Sequence, residues 1–255
     1  MHITVLSTFD LYPARDGGQN RYINIWRNFS KAHSITILVY DFRNVGRERR
    51  YKIAEHVEVV VPPANTRDAS LFYSMLSKTG LWLHDVLCLC EYKFSQEFLN
   101  ILDTLLASSD VLVAAHPYLA GLAFPRAPDR TARFYESYNV EYDIKRDYFS
   151  TAPRSADLEN LLHKVFWGER RAISMAHHVS AVSFDDRVRF QELYKTAGSR
   201  ISVLPNGTNL KKHILVGRQE KASVRSLLDC SHGLVGVFLG SAFGPNVDSY
   251  KAARL

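Results

Sequence analysis

The sequence predicts an α/β protein built on a Rossmann-like, doubly wound parallel sheet. Three observations carry this: short β-branched runs recur along most of the chain, helical periodicities separate them, and the runs are apolar throughout rather than alternating. Strands apolar on both faces belong inside a sheet covered by helices on both sides, and regular strand–helix alternation makes that sheet parallel. A length of 255 residues suits one to two domains with a sizeable buried core.

The elements follow in order. Ile3 to Leu6 is the first strand; the run is too short, and lacks the basic lead, for a signal peptide. Tyr22, Ile25, Trp26 and Phe29 recur at helical spacing and mark the first helix, which returns to strands at Ile35 to Tyr40 and Val57 to Val61. Between those strands lies the densest basic run, Arg43, Arg47, Arg49, Arg50 and Lys52, which reads as a solvated loop. It lacks the aromatic interleaving of a single-strand nucleic-acid platform, and no nucleic-acid partner is expected. Residues 71–94 are rich in Leu, Phe, Tyr and Trp but broken by Lys78, His84, Asp85 and Glu91. Two readings stand: core helices, or an interfacial helix in peripheral contact with a membrane; the acidic interruptions favour the core.

Phe94, Phe98, Ile101, Leu102 and Leu105 mark a helix leading to the strand Val111 to Ala115, and Ala132 to Tyr135 is the next strand. Leu158, Leu161, Leu162, Val165, Phe166 and Ile173 make a helix of about five turns, expected to pack across the sheet before the strand His178 to Val182. Ile201 to Leu204 closes this domain, placed at 1–208. The polar, basic stretch 209–232 reads as a linker, and 233–255 as the first strand and helix of a second, truncated domain. The order of strands in the sheet is not fixed by the sequence.

Composition is that of an ordinary globular chain, with 46% hydrophobic and 23% charged residues, and the net charge of +6 favours an anionic partner. Three cysteines, Cys88, Cys90 and Cys230, form neither a CxxC pair nor an even disulfide set. A reduced, cytoplasmic location is the economical reading, with no metal site expected.

The residues that bear on chemistry stand where strands end. Gly17 and Gly18 follow the first strand and open the first helix, a place where backbone amides and the helix start favour phosphate. A plain turn with a capped helix is the alternative, and the pair is not GxGxxG. His116 follows the strand Val111 to Ala115 at its carboxyl end, where ligands of open α/β sheets gather. Glu136, Asn139 and Glu141 lie beyond the next strand; one of them is read as a substrate contact, with helix capping the competing role for Asn139.

Taken together, the double glycine with Arg21, the segment Lys31 to Ile37, the run Asp110 to His116, the turn Tyr138-Asn139-Val140-Glu141, Glu169, Ala176 to Ser183, Val203-Leu204-Pro205-Asn206-Gly207, Val237 to Ser241 and Pro245-Asn246 resemble family-four glycosyltransferases in the same order. The resemblance implies the GT-B fold of two facing Rossmann-like halves, acceptor bound mainly by the first and a nucleotide-sugar donor mainly by the second. It implies transfer with retention of configuration and no obligatory cofactor or metal. It sets His116 near the reacting sugar, Gly17 and Gly18 against donor phosphate or acceptor, Asn206 and Gly207 at the domain junction, and Gly240 and Ser241 facing the donor; Arg21, Asn139 and Glu141 are read as substrate-binding residues beside them.

The family's donor-phosphate Arg and Lys and its EX7E glutamates lie later than this sequence reaches, so little or no transfer is expected from the 255-residue chain alone. The reading is thus the amino-terminal part of a retaining glycosyltransferase of polysaccharide or glycolipid biosynthesis, with a glycan or lipid-linked acceptor, cytoplasmic or peripheral at the inner membrane face. The alternative is a non-catalytic acceptor-binding module or partner subunit of a split enzyme. A nucleotide-sugar epimerase is disfavoured, because no acidic cluster suits proton abstraction from a sugar ring.

Overall fold

The computed structural model describes residues 1–14, 16–207, 217–229 and 249–252. The chain divides into two units, Met1–Asn206 and Gly207–Leu255.

In the first unit, β1 (His2–Ser7) leads to α1 (Gly17–Phe29), then β2 (Ser34–Val39), β3 (Arg49–Ala54) and β4 (Val57–Val61). Three helices follow, α2 (Thr66–Thr79), α3 (His84–Cys90) and α4 (Gln96–Ser108), before β5 (Val111–Ala115). A short 3-10 turn and α5 (Ala120–Ala123) connect to β6 (Ala132–Glu136); then come α6 (Glu141–Phe149), α7 (Ala156–Met175), β7 (His178–Ala181), α8 (Phe184–Tyr194) and β8 (Ile201–Val203). The strands form one eight-stranded sheet in the order β3-β4-β2-β1-β5-β6-β7-β8. Every pairing is parallel except β3 with β4. The α/β fold class expected from the sequence is therefore the one observed.

The central strands are largely apolar because each is covered twice. On one face Tyr22, Ile23 and Trp26 of α1 pack on Ile3, Val5, Ile35, Ile37, Val57, Val59 and Val113. On the other, α2, α3, α4, α7 and α8 bury Phe72, Leu87, Phe98, Val165 and Phe190 with Leu6, Leu38, Val60, Leu112 and Tyr135. The long helix α7 packs on this second face, its Leu158, Leu161, Val165 and Ile173 all buried. Gly168 lets α7 approach α3, for a Cβ built there would stand 2.5 Å from Leu89 Cδ1.

One expectation is corrected. Three of the five residues of the basic run read as a solvated loop, Arg49, Arg50 and Lys52, lie in the edge strand β3, whose Tyr51 and Ile53 are half-buried while Arg50 and Lys52 stay exposed. Alternation of one basic and one apolar residue suits a strand with a single covered face, which an apolar-run criterion misses. Residues 71–94 fold as core helices, with Phe72, Leu83, Val86 and Leu87 at or near zero exposure, although Tyr73 and Trp82 remain open to solvent. Among the described residues no helix is long and apolar enough to cross a membrane.

In the second unit the helix α9 (Arg218–Leu227) begins within the stretch read as a linker, and Glu220 accepts a hydrogen bond from the Gly217 amide at 2.9 Å. Gly240, Ser241 and the strand expected there, together with Cys230, lie outside the described residues.

Candidate active site

In an open α/β sheet the ligand crevice forms where neighbouring connections depart in opposite directions. Here β2 and β4 lie to one side of β1 and β5 to β8 to the other, so that point is the carboxyl edge between β1 and β5. His116, the residue after β5, stands there. Its backbone has φ of 67°, a left-handed conformation uncommon for a residue other than glycine, and its amide donates to the Glu136 carbonyl at 3.1 Å.

The imidazole is held from three sides. Nδ1 lies 3.0 Å from Glu141 Oε1, Phe9 meets the ring edge-on at 5.7 Å, and Tyr138 does so at 4.5 Å. Burial pushes the Glu141 carboxyl up, but the hydrogen bond and charge of His116, with Lys145 and Tyr118, outweigh it and hold Glu141 down at about 2. An ionised Glu141 only accepts, so Nδ1 carries the proton of this pair and Nε2 is left for the crevice. Nε2 has no hydrogen-bond partner among the described residues, and the side chain keeps 12% exposure. The pair is backed by Tyr118, which donates to Glu141 Oε2 at 2.5 Å, and by Lys145, which is ion-paired with Asp85.

Glu141 keeps its place through Glu169, a fully buried carboxylate in the middle of α7. Glu169 accepts from the amides of Glu141 and Tyr142 at 3.0 Å each, and from the Tyr135 and Tyr194 hydroxyls at 2.9 and 2.6 Å. It thereby caps the start of α6 from another helix, satisfying donors that the helix cannot satisfy itself.

Gly17 and Gly18 form the first turn of α1, capped by Asp16, whose Oδ1 accepts from the Gln19 amide at 2.8 Å. A Cβ on Gly17 would meet nothing within 4 Å, and one on Gly18 would meet Asp16 Oδ1 at 3.3 Å. The pair therefore keeps the helix start uncovered rather than relieving a crowded turn. The preceding loop is tied to the sheet edge through Asp10, which is hydrogen-bonded by Tyr51 and ion-paired with Arg49 at 2.9 Å.

Arg21, one turn further, reaches one other sequence-predicted residue, Asn206, whose Oδ1 accepts from Nη1 at 3.0 Å, while Nη2 donates to the Leu204 carbonyl at 2.9 Å. Its guanidinium also lies over the Tyr138 ring at 5.4 Å. Asn139 is exposed and its side chain does not cap α6; it borders a cavity of about 440 Å³ with Asp143, Asp186 and Arg189. Gly207 is exposed at the start of the second unit.

Three supporting carboxylates escape sequence reading: Asp10, Glu136 as a partner of Arg21, and Glu169 as a cap. A charged residue at the last position of an apolar strand, as Glu136 is, was the available signal. Glu136 is 2% exposed, neither carboxylate oxygen has a hydrogen-bond partner among the described residues, and burial pushes its carboxyl up to about 7 against the pull of Arg21 and His116.

Among solved structures the chain is similar to HepE from Anabaena in complex with UDP, with a TM-score of 0.50 and 14% identity over 91% of this chain and 50% of that one. The fold is that of one GT-B half. The trehalose-6-phosphate synthase OtsA matches with a TM-score of 0.47 and 14% identity over 90% of this chain and 55% of that one. A trehalose-6-phosphate protein from E. coli bound with UDP-2-fluoro glucose gives 0.46, again at 14% identity. The chain thus spans about half the length of the solved GT-B structures it matches. No protein-family model matches the sequence, and no curated protein matches it in a sequence search.

Proposed function

We propose that this chain supplies the acceptor side of a retaining glycosyltransferase that moves a sugar from a nucleotide-sugar to a glycan or lipid-linked acceptor. The observation that carries this reading is His116 at the switch point of a GT-B half, its Nδ1 fixed by an ionised, buried Glu141 and its Nε2 without a partner among the described residues. HepE was solved with UDP and with UDP-glucose, which favours a uridine-linked donor here too.

In such a transfer the bond from the anomeric carbon to the departing phosphate oxygen breaks while a bond to the acceptor oxygen forms on the same face. The acceptor proton passes to the departing phosphate oxygen, so no protein base is consumed. The sugar acquires oxocarbenium character, and what the chain contributes is position and charge. His116 hydrogen-bonds a hydroxyl of the reacting sugar through Nε2, and Glu141 acts through His116 as a positioning residue. The open amides of Gly17 and Gly18 receive the phosphate or an acceptor hydroxyl. Arg21 and Asn206 shape the wall beside them, Asn139 lies at the acceptor end, and Gly207, Gly240 and Ser241 belong to the donor side. No metal or cofactor is required, and the proposed setting is the cytoplasm or the inner membrane face.

The chain alone transfers little or nothing; joined to a second Rossmann-like half it transfers sugar with retention. The test is turnover of UDP-sugars by the 255-residue chain and by the joined form, with His116→Ala in each. Loss of kcat by about 100-fold or more in the joined His116→Ala form is expected. Undiminished turnover by that variant overturns the role of His116, and binding of UDP by the short chain alone overturns the division of labour between halves.

A further inference from the structure

The segment Leu204–Asn206 is the last of the first unit, and Gly207 begins the second. It follows the three-residue strand β8, and apart from the Leu204 amide, which donates to the Ala181 carbonyl at 2.8 Å, its anchor is Arg21. The guanidinium that holds it is nearly buried, with 8% of the side chain exposed, and is incompletely used: Nε has no hydrogen-bond partner. Beside it stands Glu136, whose Oε1 lies 3.7 Å from Nη2, the same nitrogen that donates to Leu204 at 2.9 Å. That spacing is about 1 Å too long for the charge-assisted bond an arginine makes to a carboxylate.

We propose that Arg21 and Glu136 form a proton-controlled latch on the segment Leu204–Asn206. Carboxylate and exit segment share one guanidinium nitrogen, Nη2, which stands 2.9 Å from the Leu204 carbonyl and 3.7 Å from the carboxylate, so the guanidinium favours the segment as it now lies. With Glu136 protonated, nothing draws Arg21 inward, and both terminal nitrogens stay on Leu204 and Asn206, the arrangement observed. With Glu136 ionised, a buried carboxylate without a hydrogen bond is costly, and the charged donor beside it is Arg21, 3.7 Å away. Closing that gap withdraws Nη2 from the Leu204 carbonyl and releases the start of the connection to the second unit.

The groups around Glu136 single out this pair. Arg21 and Tyr22 face it from α1, His116 from the end of β5, and Tyr138 from the turn before α6. Across β7 the register partner is Ser180, whose buried hydroxyl also lacks a partner. Burial pushes the phenols of Tyr22 and Tyr138 well up, so they stay neutral and can offer a hydrogen bond but no charge; Tyr22 donates to the Leu6 carbonyl, and His116 is committed to Glu141. Among the described residues Arg21 is the one fixed cation beside Glu136 that can change partners. The carboxyl, raised to about 7 by burial, changes state near neutrality.

Hydrogen exchange of the Leu204 amide, which donates to the Ala181 carbonyl, measured in the full chain and corrected for its intrinsic rate, tests the latch. From pH 6 to pH 8 the wild type is expected to lose protection there by about tenfold. Glu136→Gln should keep that amide protected at both values, and Arg21→Gln should leave it exchanging fast at both. A Glu136→Gln chain with the wild-type pH dependence, or an Arg21→Gln chain with unchanged exchange, overturns the proposal. If a variant fails to fold, the wild type decides alone: the carboxyl carbon of Glu136 followed by NMR must titrate at the midpoint of the exchange change, and separate midpoints refute the link.

Discussion

Glu136 and Glu141 are five positions apart, both buried at the same sheet edge, and burial acts on both in the same sense, yet their carboxyls move in opposite directions. Hydrogen bonding separates them. Glu141 receives His116 and Tyr118, whereas neither oxygen of Glu136 receives a donor. Held at about 2, Glu141 contributes stability that is complete above its unfolded value of 4.5 and is lost as pH falls towards 2. Raised to about 7, Glu136 does the reverse: the fold binds a proton that the unfolded chain releases, so its contribution is present below 4.5 and is lost as pH rises to 7. Replacing Glu136 with Gln removes that second slope. In thermal melts the variant should gain on the wild type progressively from pH 5 to pH 8, by up to about 3 kcal/mol, and parallel curves would show that Glu136 does not titrate in this window.

Helices and strands were legible to the degree that a single local rule governs them. The central strands announce themselves because both faces are covered, so every residue from Ile35 to Val39 is apolar or Thr. The edge strand β3 does not, because only one face is covered and the other carries arginine and lysine. His116 was legible as the polar residue closing an apolar strand. Glu169 was not readable as a cap, because it sits mid-helix and its targets, the Glu141 and Tyr142 amides, belong to another helix. Packing between elements was equally hidden, as at Gly168. A methyl there would press on Leu89 Cδ1 at 2.5 Å and Cδ2 at 2.6 Å, so Gly168→Ala should cost about 1–3 kcal/mol. The obstacle is a side-chain tip, so Leu89→Ala in the same chain should recover part of that loss by thermal melting; a purely additive pair would place the strain elsewhere.

At the scale of the whole molecule, strand order is what makes a site, and order was not in the sequence. Nothing in the runs themselves says that β5 returns beside β1 while β2 and β4 lie opposite, yet this reversal gives His116 its crevice. The meeting of Arg21 with Asn206, 185 positions apart, is likewise a product of topology. The edge strand carries a further consequence for the molecule in company. A sheet open at its ends offers unpaired amides and carbonyls to any neighbouring copy, and regular edges recruit one another into fibrils. The outer strand here breaks register between Lys52 and Ala54 and lifts Arg50 and Lys52 into solvent, so a second sheet meets like charges and a mismatched ladder. Arg50→Thr with Lys52→Thr should leave the monomer folded but produce light scattering that grows with concentration, whereas a doubly substituted chain that stays monodisperse would assign that protection to the break in register alone.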